Sequence, residues 1–311
     1  MTNNTKRKIK KALKNPIASF VHVLGFEKTA FIPDRAYLRL AYKFYMGKRL
    51  NLHDPKTFNE KLQWLKLNDR KEIYTTMVDK VKVRDYIADI IGPQYLIPLL
   101  GIWDSPDEID FNKLPNKFVL KCNHNSGTGM IICKDKDSLD IDKAREGLKK
   151  GLKENYFYLG REWPYKNVDR KIIGEQYMVD ESNEELKDYK VLCFNGEPKL
   201  IELHQGRFTD HQSQDFYDVL WNKTSITQNG TATYSATNEI APKPKTLGKM
   251  LELSKLLATN IPHIRVDWYS INDRLYFGEL TFFDGSGFDP FDNPTDDYMI
   301  GSWIDLTLAY K

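Results

Sequence analysis

Apolar positions recur at helical spacing through the first third of the chain and in short strand-like runs through the rest. Tyr37, Leu38, Leu40, Ala41, Phe44 and Tyr45 share one helical stripe, which predicts helices across residues 34–67. Within that span, Asp54-Pro55-Lys56-Thr57-Phe58 opens a second helix carrying Leu62, Trp64 and Leu65. A further helix is expected from about Tyr74 to Ile91, ending at Gly92-Pro93. The texture then turns to β. Short apolar strands are predicted at 118–121 and 130–133, flanking a polar loop with two glycines. A helix over 140–155, capped by Asp140 or Asp142, leads to a strand at 171–175. Residues 189–194 and 199–203 form a hairpin around Asn195-Gly196. The Thr-, Ser-, Asn- and Gln-rich stretch 205–244 reads as loops and edge strands, and a helix follows at 247–258. Two last strands, 264–269 and 275–280, join through Asn272-Asp273. The order predicts an α+β protein with mixed or antiparallel sheets, not a βαβ series.

Composition narrows the class. With 311 residues, 41% hydrophobic and 29% charged, the chain can bury a sizeable core, as one layered domain or two to three associated subdomains. A net charge of +3, from 46 basic and 43 acidic residues, argues against nucleic acid as the main partner, because phosphate backbones require a concentrated basic face. One local run departs from this balance: Lys6, Arg7, Lys8, Lys10, Lys11 and Lys14 precede an apolar stretch at 17–26 that is too short to span a bilayer. It reads either as a surface-lying amphipathic segment or as a solvated terminus. Cys122, Cys133 and Cys193 sit in apolar runs with no close pair, which excludes a disulfide framework and fits a reducing compartment. The 6 histidines have no i, i+4 partner, so a zinc site is not expected.

Four segments carry candidate chemistry. Arg265 and Asp267 alternate onto one face of a strand, and Glu279 lies on the next strand. Carboxylates in strand interiors are costly to bury unless paired or metal-bound, so two of them beside an arginine suit a hard cation and a phosphate. An exposed Arg–Asp pair gives the same pattern. Lys121 ends a strand before Asn123-His124-Asn125-Ser126-Gly127-Thr128-Gly129, where glycine lets backbone N–H groups approach phosphate. No helix follows, so this is neither a Walker A loop nor a dinucleotide fingerprint. Gly174-Glu175-Gln176-Tyr177-Met178 runs from a strand into a polar break, and Asp188-Tyr189-Lys190 adds a cation at the next strand.

In this order, DPKTFNEKLQW (54–64), VDKVKVRDY, FVLKCNHNSGTG, DYKVLCFNGEP, IRVDWYS and YFGELTF resemble the TupA-like ATP-grasp family of bacterial cell-surface polysaccharide loci. The matching text runs from about Asp34 to Leu306. The resemblance implies an ATP-grasp fold, α+β, with two lobes clasping ATP after a helical lead-in. Its divisions are residues 1–73, a first lobe at 74–178 and a second at 179–311. It implies ATP contacts from Lys80, Lys121, Ser126, Gly127, Gly129, Lys190 and the hinge Glu175, Gln176, Tyr177 and Met178. Asp267 and Glu279 match the Mg²⁺ carboxylates, and Arg265 and Lys190 the cations at the reacting phosphate.

The implied reaction activates a carboxylate as an acyl phosphate and couples it to a small amine or amino acid. The expected acceptor is an acidic sugar or glycan, held by His204 and Arg207, in the cytoplasm or at the inner membrane face. Two positions depart from the pattern. Thr281 replaces the usual Asn metal ligand, leaving Asp284 or water to complete the shell, and Asn125 stands where a glycine is expected. The competing class is a glycosyltransferase, since Asp135-Lys136-Asp137 and Asp140-Ile141-Asp142 fit a DxD string, although both also fit helix capping. A sugar kinase on the same fold is the other alternative.

Overall fold

The computed structural model describes residues 30–180, 186–206, 212–228 and 235–310. The basic run, the apolar stretch after it and Arg207 lie outside these residues. Among the described residues there are eight α-helices and nine strands: α1 (Asp34–Met46), α2 (Phe58–Asn68), α3 (Ile73–Val78), α4 (Val83–Ile90), β1 (Leu99–Trp103), β2 (Phe118–Cys122), β3 (Ile131–Cys133), α5 (Ile141–Lys153), α6 (Phe157–Gly160), β4 (Ile172–Gln176), β5 (Asp188–Phe194), β6 (Glu197–Gln205), β7 (Ser213–Asp218), α7 (Leu247–Leu257), β8 (His263–Ile271), β9 (Arg274–Thr281) and α8 (Pro294–Ser302).

Local chemistry accounts for most boundaries. Thr57 and Glu60 form a reciprocal capping box at the start of α2, each side chain accepting from the other's backbone N–H. Asp140 caps α5, and Asn293 with Pro294 starts α8. Asn195 and Gly196 both take positive φ, as do Asn272 and Asp273, so each hairpin closes through the left-handed pair that matches strand twist. The helix expected over 74–91 is instead two. Asp79 interrupts it by accepting from Val81 N at 2.9 Å and from Asn123 Nδ2 at 2.7 Å. A local helix gives way here to a tertiary anchor.

The strands form two antiparallel sheets, ordered β1-β4-β2-β3 and β7-β6-β5-β8-β9. Phe118, Leu120, Leu148 and Ile172 bury the first sheet against α5. The larger core lies around the second sheet, where Val191, Ile201, Val266 and Trp268 pack with Leu62 of α2 and Met250 of α7. Strand β1 and helix α8 were not anticipated. Strand β1 is an edge, paired only with β4 and carrying no clean alternation, so its run lacked a strand signature. Helix α8 is specified by a distant partner: Asp297 Oδ1 accepts from Asn59 N at 3.0 Å, and Gly301 lets the helix approach the Lys56 carbonyl, where a Cβ would sit at 2.4 Å.

Candidate active site

The two sheets face each other across a cleft, and each contributes by a different device. On the first sheet the strand pair β2–β3 ends in the loop 123–130. Asn123 pins its start, donating to Asp79 Oδ1 at 2.7 Å and to Asp169 O at 2.8 Å while accepting from Lys171 N at 2.8 Å. The same turn presents Lys80, whose backbone N donates to Asn123 O at 3.2 Å and whose Nζ donates to Asn125 O at 2.9 Å. Gly127 and Gly129 have φ of +86° and +78°. A Cβ on Gly129 would meet Gly147 O at 2.5 Å, so this glycine lets the loop lie on α5, whereas Gly127 stands in open space. Asn125, which stands where a glycine is expected, does not take a left-handed backbone. Its side chain ties the loop internally, donating to Thr128 O at 3.1 Å. His124 is buried against Glu154 O, and burial depresses its pKa to about 4.

Lys121 Nζ lies 2.6 Å from Glu175 Oε2, and Arg84 Nη1 is 3.3 Å from the other oxygen. Glu175 therefore anchors two cations from the central strand β4, and Gln176 closes that strand with a backbone bond to Pro98 O. Tyr177 and Met178 follow, beyond the strand end.

The second sheet carries charges in strand interiors. Strand β9 has a bulge opposite Asp267: Val266 pairs with Leu280 and Trp268 with Phe277, so Gly278 and Glu279 together face one residue. Gly278 makes this possible, since a Cβ there would sit 3.1 Å from Asp267 O. Arg265 grips Asp267 with two parallel bonds, Nε to Oδ1 at 2.7 Å and Nη2 to Oδ2 at 2.8 Å. It also contacts Asp284, Glu279 (3.4 Å) and Thr281 Oγ1 (3.2 Å). Lys190 Nζ donates to Asp267 Oδ2 at 2.8 Å. Burial alone would raise the Asp267 pKa, but Arg265 and Lys190 overcome it and hold the carboxyl down at about 2. Burial and Arg265 press Lys190 toward neutrality, yet Asp267, Asp188 and Glu202 prevail and raise its pKa. Lys80, 3.8 Å from Glu279, shows the opposite balance: burial outweighs its partner and lowers it.

Asp284 is held from behind by α2. Gln63 Nε2 donates to Gly287 O at 2.7 Å, and Lys66 Nζ donates to Ser286 O and to Gly160 O, both at 2.7 Å. The turn needs this support, because Gly285, Ser286 and Gly287 are all left-handed and Ser286 is not a glycine. Nothing in the local pattern marks this prop: Lys66 lies among the apolar residues of α2 and is wholly buried.

These elements meet in two adjoining cavities. Lys80, Lys121, Ser126, Gly127, Lys190, His204, Arg265, Asp267, Glu279 and Asp284 line one of about 290 Å³. Glu175, Gln176, Tyr177 and Met178 line another of about 160 Å³, with apolar walls from Ile97, Val119 and Ile132. Lys121, Met130, Asp188 and Tyr269 border both. Of the residues singled out from sequence, Gly129 sits at the loop base, off the cavities. His204 lines the larger cavity, but its Nε2 meets Glu202, so the ring expected to hold an acid already faces one. The DxD strings are caps: Asp135 and Asp140 accept from Asp137 N and Lys143 N.

Asp267, Glu279 and Asp284 supply hard oxygens around one arginine. Asp267 is engaged by Arg265 and Lys190, while the Glu279 side chain is 39% exposed toward the cavity. Among the described residues no three His, Cys, Asp or Glu side chains form a ready metal cage. Mg²⁺ takes one or two carboxylates and completes its shell with water and phosphate, and Glu279 with Asp267 is a donor pair of that kind.

A sequence model of TupA-like ATP-grasp proteins matches residues 60–305. The chain belongs to the TupA-like ATP-grasp family. Members of the ATP-grasp fold family are ATP-dependent ligases, and this ATP-grasp enzyme has their architecture of two sheets about a cleft. Solved structures similar to it include the D-alanine–D-alanine ligase of Helicobacter pylori (13% identity, TM-score 0.44, 82% of this chain and 69% of that one). The D-alanine–D-alanine ligase of Bacillus anthracis complexed with ATP is similar at 14% identity and TM-score 0.38, over 67% of this chain and 55% of that one. A RimK-domain ATP-grasp protein of Sphaerobacter thermophilus follows at 12% and 0.40, over 74% and 69%. Likeness at this level is one of outline, and membership rests on the family match. No curated protein matches the chain.

Proposed function

We propose that this enzyme is a carboxylate–amine ligase acting through an acyl phosphate. The observation that carries the reading is the convergence of Lys80, Lys121 and the glycine loop with Arg265, Lys190, Asp267 and Glu279 in one cavity. The adjoining cavity, walled by Ile97, Val119, Ile132, Tyr177 and Met178, offers the apolar surroundings an adenine needs, and Lys121 lines both cavities. Backbone N–H groups at Ser126 and Gly127, with Lys80 and Lys121, then bracket the phosphate chain. Glu279 and Asp267 would hold Mg²⁺, which when bound screens the phosphate charge and polarises the transferred group.

The substrate carboxylate attacks the terminal phosphorus, its oxygen forming the new P–O bond as the bond to ADP breaks. Lys190 and Arg265, kept charged by their carboxylates, stabilise the negative charge that builds on the transferred group and later on the tetrahedral centre. The neutral amine nitrogen next bonds to the acyl carbon, the C–O bond to phosphate breaks with its electron pair leaving on phosphate, and the nitrogen gives up one proton, which ends on the phosphate, to leave the amide. We assign the lobes to residues 74–178 and 179–311, after a lead-in at 1–73. The acceptor on this reading is a uronic acid or acidic glycan of bacterial cell-surface polysaccharide, handled in the cytoplasm or at the inner membrane face. Among the described residues no helix is long and apolar enough to cross a membrane.

A coupled assay for ADP and phosphate, run with panels of uronic acids and amines, tests this. Release of both products only when acid and amine are present together is expected. ADP release with a stable phosphorylated sugar would replace the ligase by a kinase, and preference for a UDP-sugar over ATP would overturn both.

A further inference from the structure

The larger cavity changes character along the second sheet. At the β9 end, Glu279 faces Lys80 and the glycine loop, where phosphate belongs. Moving inward, Asp267 on β8 and Lys190 on β5 neutralise one another. At the far end the wall is Glu202 and His204 on β6 and Gln214 on β7. Gln214 is turned toward Gln228, its Nε2 donating to Gln228 Oε1 at 3.2 Å.

Glu202 is the anomaly in this wall. It is 3% exposed, and one carboxylate oxygen contacts His204 Nε2. The other, Oε2, is buried and has no hydrogen-bond partner. Lys190 sits directly across the strand pair, but its ammonium is spent on Asp267. A charged oxygen left this way costs more than a neutral one, and native proteins retain such atoms where something else supplies the donor.

The chemistry of the missing donor is restricted. A second carboxylate would meet repulsion from Glu202. A divalent metal would need several more oxygens; Asp284 lies nearby but is taken up by Arg265, the other neighbours are an imidazole and a lysine, and among the described residues no three His, Cys, Asp or Glu side chains are placed to share a metal. A primary ammonium, with three donors and no acceptor, satisfies Oε2 and can share the side-chain carbonyls of the glutamine pair. We propose that Glu202 anchors the ammonium group of the amine co-substrate at the β6–β7 end of the cavity, opposite the phosphate end, and that its carboxylate takes the proton the nitrogen sheds before its lone pair attacks the acyl carbon. This assignment rests on the ligase reading. It moves His204 from holder of the substrate acid to partner of the group that holds the amine, and it leaves the substrate carboxylate to Lys190 and Arg265 at the centre.

The test uses the full chain, a uronic acid panel, and methylamine, ethanolamine and the free amino acids as amine probes. Hydroxylamine is run alongside with the wild-type protein, because it intercepts an acyl phosphate as a hydroxamate whatever the natural amine. Glu202→Gln is expected to raise the KM for the accepted amine about tenfold or more, the size of one charged hydrogen bond, and to move the KM for ATP far less. Glu202→Asp retains the charge and recovers part of the affinity, which a merely structural role would not reproduce. Should Glu202→Gln not fold, Glu202→Asp carries the test, with a raised amine KM beside a near-normal ATP KM. An unchanged amine KM in a folded Glu202→Gln protein, or a loss that appears in the Mg²⁺ or uronic acid dependence instead, overturns the assignment while the ligase stands. If the wild-type protein yields neither hydroxamate nor ADP with any acid, the ligase reading itself falls.

Discussion

The two walls of the cleft are built on opposite principles. The wall from the first sheet is shaped by main chain: a pinned asparagine, two left-handed glycines and a loop laid directly on α5. Its cations, Lys80 and Lys121, are each tethered by one or two contacts. The wall from the second sheet is shaped by side chains, with Arg265 engaging five side-chain atoms and Lys190 sharing its principal carboxylate. Backbone geometry tolerates loss of a charge but not of a glycine. A buried charge network tolerates neither loss nor neutralisation of a member, because the remaining partners stay desolvated.

The largest effect should follow from breaking the network. Asp267→Asn leaves Arg265 and Lys190 under-compensated, and we expect a loss of about 3–5 kcal/mol in denaturant unfolding together with abolished ADP release. Near-normal turnover would remove Asp267 from the site. Next comes the glycine wall: Gly129→Ala must place a Cβ against Gly147 O, costing about 2–3 kcal/mol through overpacking and left-handed strain. Gly127→Ala pays only the backbone term, about 1 kcal/mol, and should show itself in the KM for ATP more than in the melting temperature. Equal destabilisation by the two would refute the distinction drawn between loop base and loop tip.

Acid titration sharpens the same contrast. The Asp267 pKa falls from 3.8 to about 2 on folding, so its contribution is complete above the ordinary carboxylate value and is lost as pH drops through that window. The wild-type melting temperature should therefore fall more steeply than that of Asp267→Asn between pH 4 and pH 2, values set by those two pKa limits. Parallel curves would show that the network does not govern acid stability. Of the same order as the Gly127 effect is that of Lys66→Met, which preserves volume but unpairs the Gly160 and Ser286 carbonyls. It should cost about 1–2 kcal/mol and lower activity through a loosened Asp284 turn; stability loss with full activity would deny the turn a part in the site.

Much of this was readable in the residues. Thr57 with Glu60, Asn195 with Gly196, and Asn272 with Asp273 announce their structures through contacts within four residues. The charged positions of β5, β8 and β9 stand out because an interior strand charge demands a reason. What escaped notice had distant causes. The break at 79–82 depends on Asn123, helix α8 on the seat that Asn59 of α2 gives its Asp297, and the Asp284 turn on Lys66 and Gln63.

The sequence by itself determined the two hairpin turns, the helix caps, the α+β class and, through resemblance, the family later shown. Tertiary structure decided how the charges pair: that Arg265 and Lys190 share Asp267, that Lys80 reaches Glu279 across the cleft, and that Glu202 is left with one oxygen unmet. The reason is range. Caps and turns are settled by neighbours along the chain, whereas the pairing of a buried charge depends on which strands the fold brings alongside it.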